Sequence, residues 1–184
     1  RKLKNLITLI KDGIPDQHRE SVEPLCRFFL ENIRRQKALG DFYDLDMRDE
    51  FIWGKIFSHA AAFQMYKTDH VRYAWIPPEG NNRHNRRRWY LVEQLGWTWN
   101  DARKFLSEFW QSLDDSKMLV RLHPGYGLNG HLLLFASGKN KPLYACKSCG
   151  LLQADVVSHR CTAFRCRGEV LELPDEQRDL MARN

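Results

Sequence analysis

Apolar residues in the first third of the chain fall at helical intervals. Val22, Leu25, Cys26, Phe29 and Ile33 are spaced three or four apart, which places them on one face of an α-helix. Ser21 stands where a cap is wanted, Pro24 is tolerated in a first turn, and Gly40 ends the run. A comparable stripe of Phe51, Ile56, Phe57, Ala60 and Phe63 predicts a second helix over 47–66. Residues 76–85, IPPEGNNRHN, concentrate Pro, Gly and Asn and read as a loop at a domain boundary. Beyond it RRRWYLVEQL forms a short helix stopped by Gly96. Thr98 or Asn100 then caps a longer helix over 100–113, with Ala102, Phe105, Leu106, Phe109, Trp110 and Leu113 on one side. Two β-like runs, 118–123 and 131–136, flank the turn-rich PGYGLNG and predict a hairpin with a long tip. Helix, tight turn, helix, hairpin is the order of a winged-helix domain.

The segment YACKSCGLLQADVVSHRCTAFRCRGEVLEL carries the strongest chemical signal. Cys146 and Cys149 form one Cys-x2-Cys knuckle, and Cys161 and Cys166 form a Cys-x4-Cys knuckle eleven residues later. Four thiolates at such spacing are the donor set of a tetrahedral structural zinc ion, with no coordination position left for a water molecule. Gly150 and Gly168 follow the knuckles, where positive φ is expected. The runs LLQADVV and EVLEL suit strands, so the segment is expected to be a zinc ribbon. His159 is expected to stay outside the shell, and disulfides would need an oxidising compartment that nothing else supports. The fifth cysteine, Cys26, lies in the apolar stripe and reads as a small core residue. His18, His59 and His70 have no ligand-spaced companions.

The expected fold class is therefore α+β, mainly helical. It comprises a helical module (1–78), a winged-helix-like domain (79–138), a zinc ribbon (139–174) and the start of a truncated helix (175–184). The absence of an initiator Met and the helical DEQRDLMARN at the end suggest a piece of a longer polypeptide.

The formal charge of +6 favours phosphate-bearing partners, and it is local: Arg83, Arg86, Arg87 and Arg88 fall within six residues, with Arg34, Arg35 and Lys37 elsewhere. Arg103 and Lys104 would lie on the outer side of the 100–113 helix, and Arg121 in the hairpin. Such side chains hold phosphates without reading sequence. A solvated basic surface is the plain alternative. Trp53, Trp75, Trp89, Trp97, Trp99 and Trp110 can stack bases, but five or more of them are expected in the core.

Other chemistry is missing. No phosphate-binding G-x-x-x-x-G-K-[ST] loop, G-x-S-x-G elbow, H-E-x-x-H or dinucleotide fingerprint occurs, so no catalytic residue is assigned. Asp44, Asp46, Asp49 and Glu50 sit beside a predicted helix start, where acidic residues favour the helix dipole. No stretch approaches the roughly 20 apolar residues that cross a bilayer, and the N-terminal RKLKNLITLI is too short for a signal peptide. A cytoplasmic protein with no membrane partner is expected.

The basic RYAWIPPEGNNRHNRRRWYLVEQLG stretch, the winged-helix-like part and the paired knuckles followed by DEQRDLMARN together resemble a region of large bacterial superfamily 2 DEAD/DEAH-type helicases of phage-defence systems such as DISARM and Druantia. The resemblance covers roughly the last 110 residues. It implies an accessory region beside RecA-like motor lobes of the same polypeptide. ATP and Mg2+ would be held by the motor rather than by this chain. DNA and other defence-system subunits are the implied partners. Two other readings stay open: a protein-docking adaptor, and a zinc-ribbon transcription regulator.

Overall fold

Two amphipathic helices build most of the core, and their apolar stripes explain why they form. In the computed structural model, which describes residues 2–10, 13–40, 62–66, 73–78, 85–132 and 141–177, helix α1 is Lys2–Ile10 and a 3-10 turn, Asp16–Ser21, leads into α2, Val22–Arg35. Helix α2 buries Val22, Leu25, Cys26, Phe29 and Ile33 as its spacing predicts, and Phe28 and Asn32 besides. Ser21 makes no side-chain cap, because the preceding 3-10 turn runs straight into the helix. Helix α3, Arg86–Arg88, continues as a π-helical turn, Trp89–Gln94. Helix α4, Trp99–Asp115, begins where Thr98 Oγ1 accepts from the Asp101 amide at 3.1 Å. Thr98 is thus the cap, and Asn100 lies inside the helix. The α4 stripe from Ala102 to Leu113 is fully inside apart from the edge of Trp110.

Short strands cover one end of this core. They are β1 (Leu39–Gly40), β2 (Phe63–Gln64), β3 (Tyr73–Ala74), β4 (Leu119–Leu122) and β5 (Gly125–Asn129). Strand β5 is the organiser: β4 pairs antiparallel along one edge from Leu119↔Leu128 to Leu122↔Gly125, while the other edge takes β1 in parallel at Leu128 and β2 at Tyr126. Strand β3 lies parallel to β2.

The fold departs from the sequence expectation in two places. The second hairpin strand is not 131–136 but 125–129, the very residues that read as a loop. The hairpin turns tightly at His123 and Pro124, Gly130–Leu132 is a 3-10 turn, and residues 133–136 lie outside the described ones. The glycines serve close packing rather than turning: a Cβ on Gly127 would stand 2.4 Å from the Ala38 carbonyl oxygen, and one on Gly125 would stand 2.5 Å from that of Phe63. The helix expected over 47–66 also fails at its end, where Phe63–Gln64 is a strand; residues 47–61 lie outside the described ones. Paired with β1 and β2 as well as β4, this hairpin sits within a sheet rather than standing out as a free wing.

One apolar cluster runs from Leu6 of α1 to Val157 and takes in residues on both sides of the expected boundary at 76–85, of which 79–84 lie outside the described residues. Trp75 is its centre. Its indole N–H donates to the Leu106 carbonyl at 2.8 Å, and its ring stacks on Phe109 at 5.6 Å with 11° between planes. Trp89, Trp97 and Trp110 are buried as well, each less than a tenth exposed; Trp53 lies outside the described residues. Cys26 is completely enclosed, and burial, assisted by the Glu23 charge, raises its thiol to about 12. A second, smaller sheet carries the cysteines: β6 (Tyr144–Cys146) is flanked antiparallel by β7 (Leu152–Gln153) and β8 (Val170–Glu172). Among the described residues no helix is long and apolar enough to cross a membrane.

Replacing Gly127 by Ala forces β5 away from Ala38, an overpacking cost of about 1–3 kcal/mol. A urea melt should show the loss; an unchanged midpoint would remove the close-packing account of this glycine.

Candidate metal centre

The first knuckle hangs from the end of β6. Gly150 N–H donates to the Cys146 carbonyl at 3.0 Å, closing a tight turn that Gly150 completes with φ +68. Cys161 and Cys166 lie on the returning chain, after a two-residue reversal in which Ser158 and His159 both take left-handed backbone and Val157 pairs with Arg160. In the second knuckle the left-handed position is Arg165, φ 64, and not Gly168. Gly168 answers a different demand: a Cβ there would lie 2.4 Å from Cys146 Sγ, so only glycine lets the chain pass the sulfur.

The four sulfurs lie within 4.8 Å of one another, with Cys146–Cys166 and Cys149–Cys161 pairs at 3.6 Å. Sulfurs at about 2.3 Å around a tetrahedral zinc stand roughly 3.8 Å apart, so the cluster has the dimensions of such a shell. Backbone amides support it: the N–H groups of Ser148, Ala163 and Gly168 donate to Cys146, Cys161 and Cys166 Sγ at 3.4, 3.3 and 3.4 Å. For Cys146, burial works against ionisation, but the amides and neighbouring thiols outweigh it and bring the group to about 7; burial pushes Cys161 strongly up. Thiols this close cannot all ionise without a cation to hold them, so the donor set fits a metal ion. His159 is exposed and outside the cluster.

The cysteine module is bolted to the helical body through the second knuckle. Arg86 donates to the Thr162 carbonyl at 2.8 Å, and Gln94 Nε2 donates to the carbonyls of Cys161 and Cys166 at 3.3 and 3.1 Å. Trp89 meets Phe164 edge-on at 5.7 Å, and Val157 enters the main core. The π-helical turn makes this possible. It buries Trp89, Tyr90 and Leu91 in succession and ends on Gln94, which meets the same loop as Arg86 of α3. On the far side His18 Nε2 donates to the Leu95 carbonyl at 3.3 Å, which leaves Nδ1 to accept from the Ser158 hydroxyl at 3.2 Å.

The basic run is not one surface. Arg83 lies outside the described residues. The phosphate-contact expectation fails for Arg87, which is only 4% exposed. Its guanidinium donates to the carbonyls of Trp75 and Ala74 at 3.0 and 2.7 Å and lies 4.7 Å from the Trp75 ring centre. Burial, with the Arg86 charge beside it, lowers its pKa to about 9. Arg88 is half-buried over the Trp99 ring at 5.6 Å, with Glu93 at 3.6 Å. Arg103 and Lys104 are exposed on α4, Lys104 lying 3.9 Å from Glu108. Arg121 is exposed on β4 opposite Tyr126. Nothing in the residue order points to Gln94 or His18; their roles depend on neighbours some 70 to 140 residues away, which no local pattern signals. Compared with known proteins, the chain matches no family model, no curated protein and no solved structure.

Metal analysis of the purified protein should give about one zinc per chain for wild type and for His159→Ala, and almost none for Cys161→Ser; loss of metal in the histidine variant would place His159 in the shell. A second outcome concerns pH. Burial lowers the His18 pKa against the opposing Leu95 bond, so the folded state binds its proton less readily than the unfolded chain. The stability this gives is present above the unfolded value of about 6.5 and is lost as pH falls through the folded value. Melting curves between pH 7.5 and 5 should therefore slope less for His18→Gln; parallel curves would exclude the effect.

Proposed function

We propose that this region guides nucleic acid for an ATP-dependent motor, with a structural zinc ion fixing the geometry of the guiding surface. The observation that carries the reading is the closed four-thiol cluster clamped by Arg86 and Gln94 to a body that exposes Arg103 and Lys104 on α4 and Arg121 on β4. Cys146, Cys149, Cys161 and Cys166 would hold the zinc. A shell of four thiolates supplies folding free energy and leaves no site for hydrolytic chemistry.

The chain's own residues then act by position. Arg103 and Lys104 project from one turn of α4, and Arg121 lies across from the 38% exposed Tyr126 on the hairpin. Cations of this kind neutralise backbone phosphates, and an exposed tyrosine offers a base a stacking surface. The resemblance to large superfamily 2 helicases of phage defence supplies the motor: its lobes would bind ATP and Mg2+ and move the strand, in the cytoplasm, with DNA as the expected nucleic acid. The winged-helix and zinc-ribbon descriptions of the two sheets belong to the same proposal.

A docking adaptor is favoured by a different observation. Leu152 and Leu171, 37% and 45% exposed, both flank Ala145 across the three-stranded sheet, forming an apolar row open to a protein partner.

Fluorescence anisotropy of labelled single-stranded and duplex DNA over a salt series separates the two. Wild type should bind with a steep salt slope, and changing Arg103, Lys104 and Arg121 to Ala should flatten that slope by about one for each phosphate no longer neutralised. Absence of binding at low salt would leave the adaptor.

A further inference from the structure

A cleft of about 440 Å3 separates α2 from β7 of the cysteine module, a size within the roughly 300–1,000 Å3 range of small-ligand sites. Helix α2 contributes Arg27, Glu31, Arg34 and Arg35; the opposite wall contributes Arg86, Asp155 and the β7 segment Leu151–Ala154. Four guanidiniums thus face two carboxylates. Glu31 is shared by two of them, at 2.6 Å from Arg34 and 3.0 Å from Arg35. Asp155 lies 3.8 Å from Arg27, which also holds Glu23 at 2.6 Å. Among the described residues no carboxylate pairs with Arg86: one nitrogen is spent on the Thr162 carbonyl, and its side chain lies over the Phe28 ring at 5.9 Å. Burial and the charge of Arg35 both oppose its protonation, while Cys161 and Glu31 favour it. Four guanidiniums against two carboxylates leave the lining with an excess of positive charge, shared between Arg86 and the Arg34–Glu31–Arg35 cluster, while Phe28, Leu151 and Leu152 give it apolar walls.

We propose that this cleft is a nucleotide-phosphate site, in which Arg35 and Arg86 take the phosphate of a nucleotide and Leu151, Leu152 and Phe28 take its apolar face. Arg guanidiniums suit phosphate because their planar forks donate along two oxygens at once. Enclosure between two walls strengthens that interaction over one at an open surface. The inference deepens the nucleic-acid reading and rests on it only for the source of the phosphate, a strand rather than a free nucleotide.

The zinc-loaded full chain is titrated with dTMP by calorimetry and with labelled dT12 by anisotropy. Arg86→Gln removes the charge but also the bond to Thr162, so Arg35→Glu and Leu152→Glu, at side chains 42% and 37% exposed, keep the test independent of folding. Either variant should weaken dTMP binding about tenfold or more and weaken dT12 in step, whereas changing Arg103, Lys104 and Arg121 to Ala should weaken dT12 alone. Binding of dTMP lost in the cleft variants, with no dT12 binding in any protein, upholds the site and overturns the nucleic-acid function. Binding of dT12 that ignores the cleft variants, with no dTMP bound, upholds the function and overturns the site. Capture of a Glu-rich peptide with dTMP left unbound would overturn the phosphate assignment in favour of a peptide groove beside β7.

Discussion

The buried guanidinium of Arg87 is the constraint on which the other contacts hang. A charge enclosed in an apolar core costs several kcal/mol unless its donors are met. Here main-chain carbonyls of Ala74 and Trp75 meet them, and the Trp75 and Phe63 rings lie against the cation. One side chain therefore fixes the start of α3 to the end of β3 and orients the helix about its axis. With α3 so set, Arg86 and Gln94 reach the second knuckle, and Trp89 reaches Phe164. Lysine would not replace Arg87, because a single ammonium lacks the spread donors that span two successive carbonyls.

Closure of the thiol cluster and packing against the body are therefore linked. The three-stranded sheet around Cys146, Cys161 and Val170 has a very small core of its own, too little to hold a fold unaided. It is stabilised from two directions, by the ion its thiols would gather and by hydrogen bonds to the knuckle carbonyls. Val157 and Phe164 extend the coupling into the large aromatic core. Surface ion pairs such as Arg27–Asp155 contribute little beside these.

Much of this was legible from residue order, and the failures have physical causes. Helices α2 and α4 announce themselves by long stripes with a 3.6-residue period, the α4 cap as one of Thr98 or Asn100, and the thiol cluster by spacing that geometry makes almost specific. The strand Gly125–Asn129 was hidden because glycine most often marks a turn, whereas here each glycine admits a neighbouring carbonyl. The arginine run misled for a related reason. Four positives in six residues look like one solvated face, but successive side chains on a helix point about 100° apart, so Arg86, Arg87 and Arg88 meet a cleft, a core and a tryptophan. The π-helical turn has no sequence signature at all.

The body grips the second knuckle largely through main-chain oxygens, those of Cys161, Thr162 and Cys166. Main-chain atoms are the same whatever the residue. Provided the thiols keep the loop in shape, the exposed Arg165 and Arg167 can drift without loosening the joint, apart from the left-handed backbone demanded at position 165. A loop held in this way leaves its outward face open to change, so the same joint admits different surface chemistry while its geometry stays put.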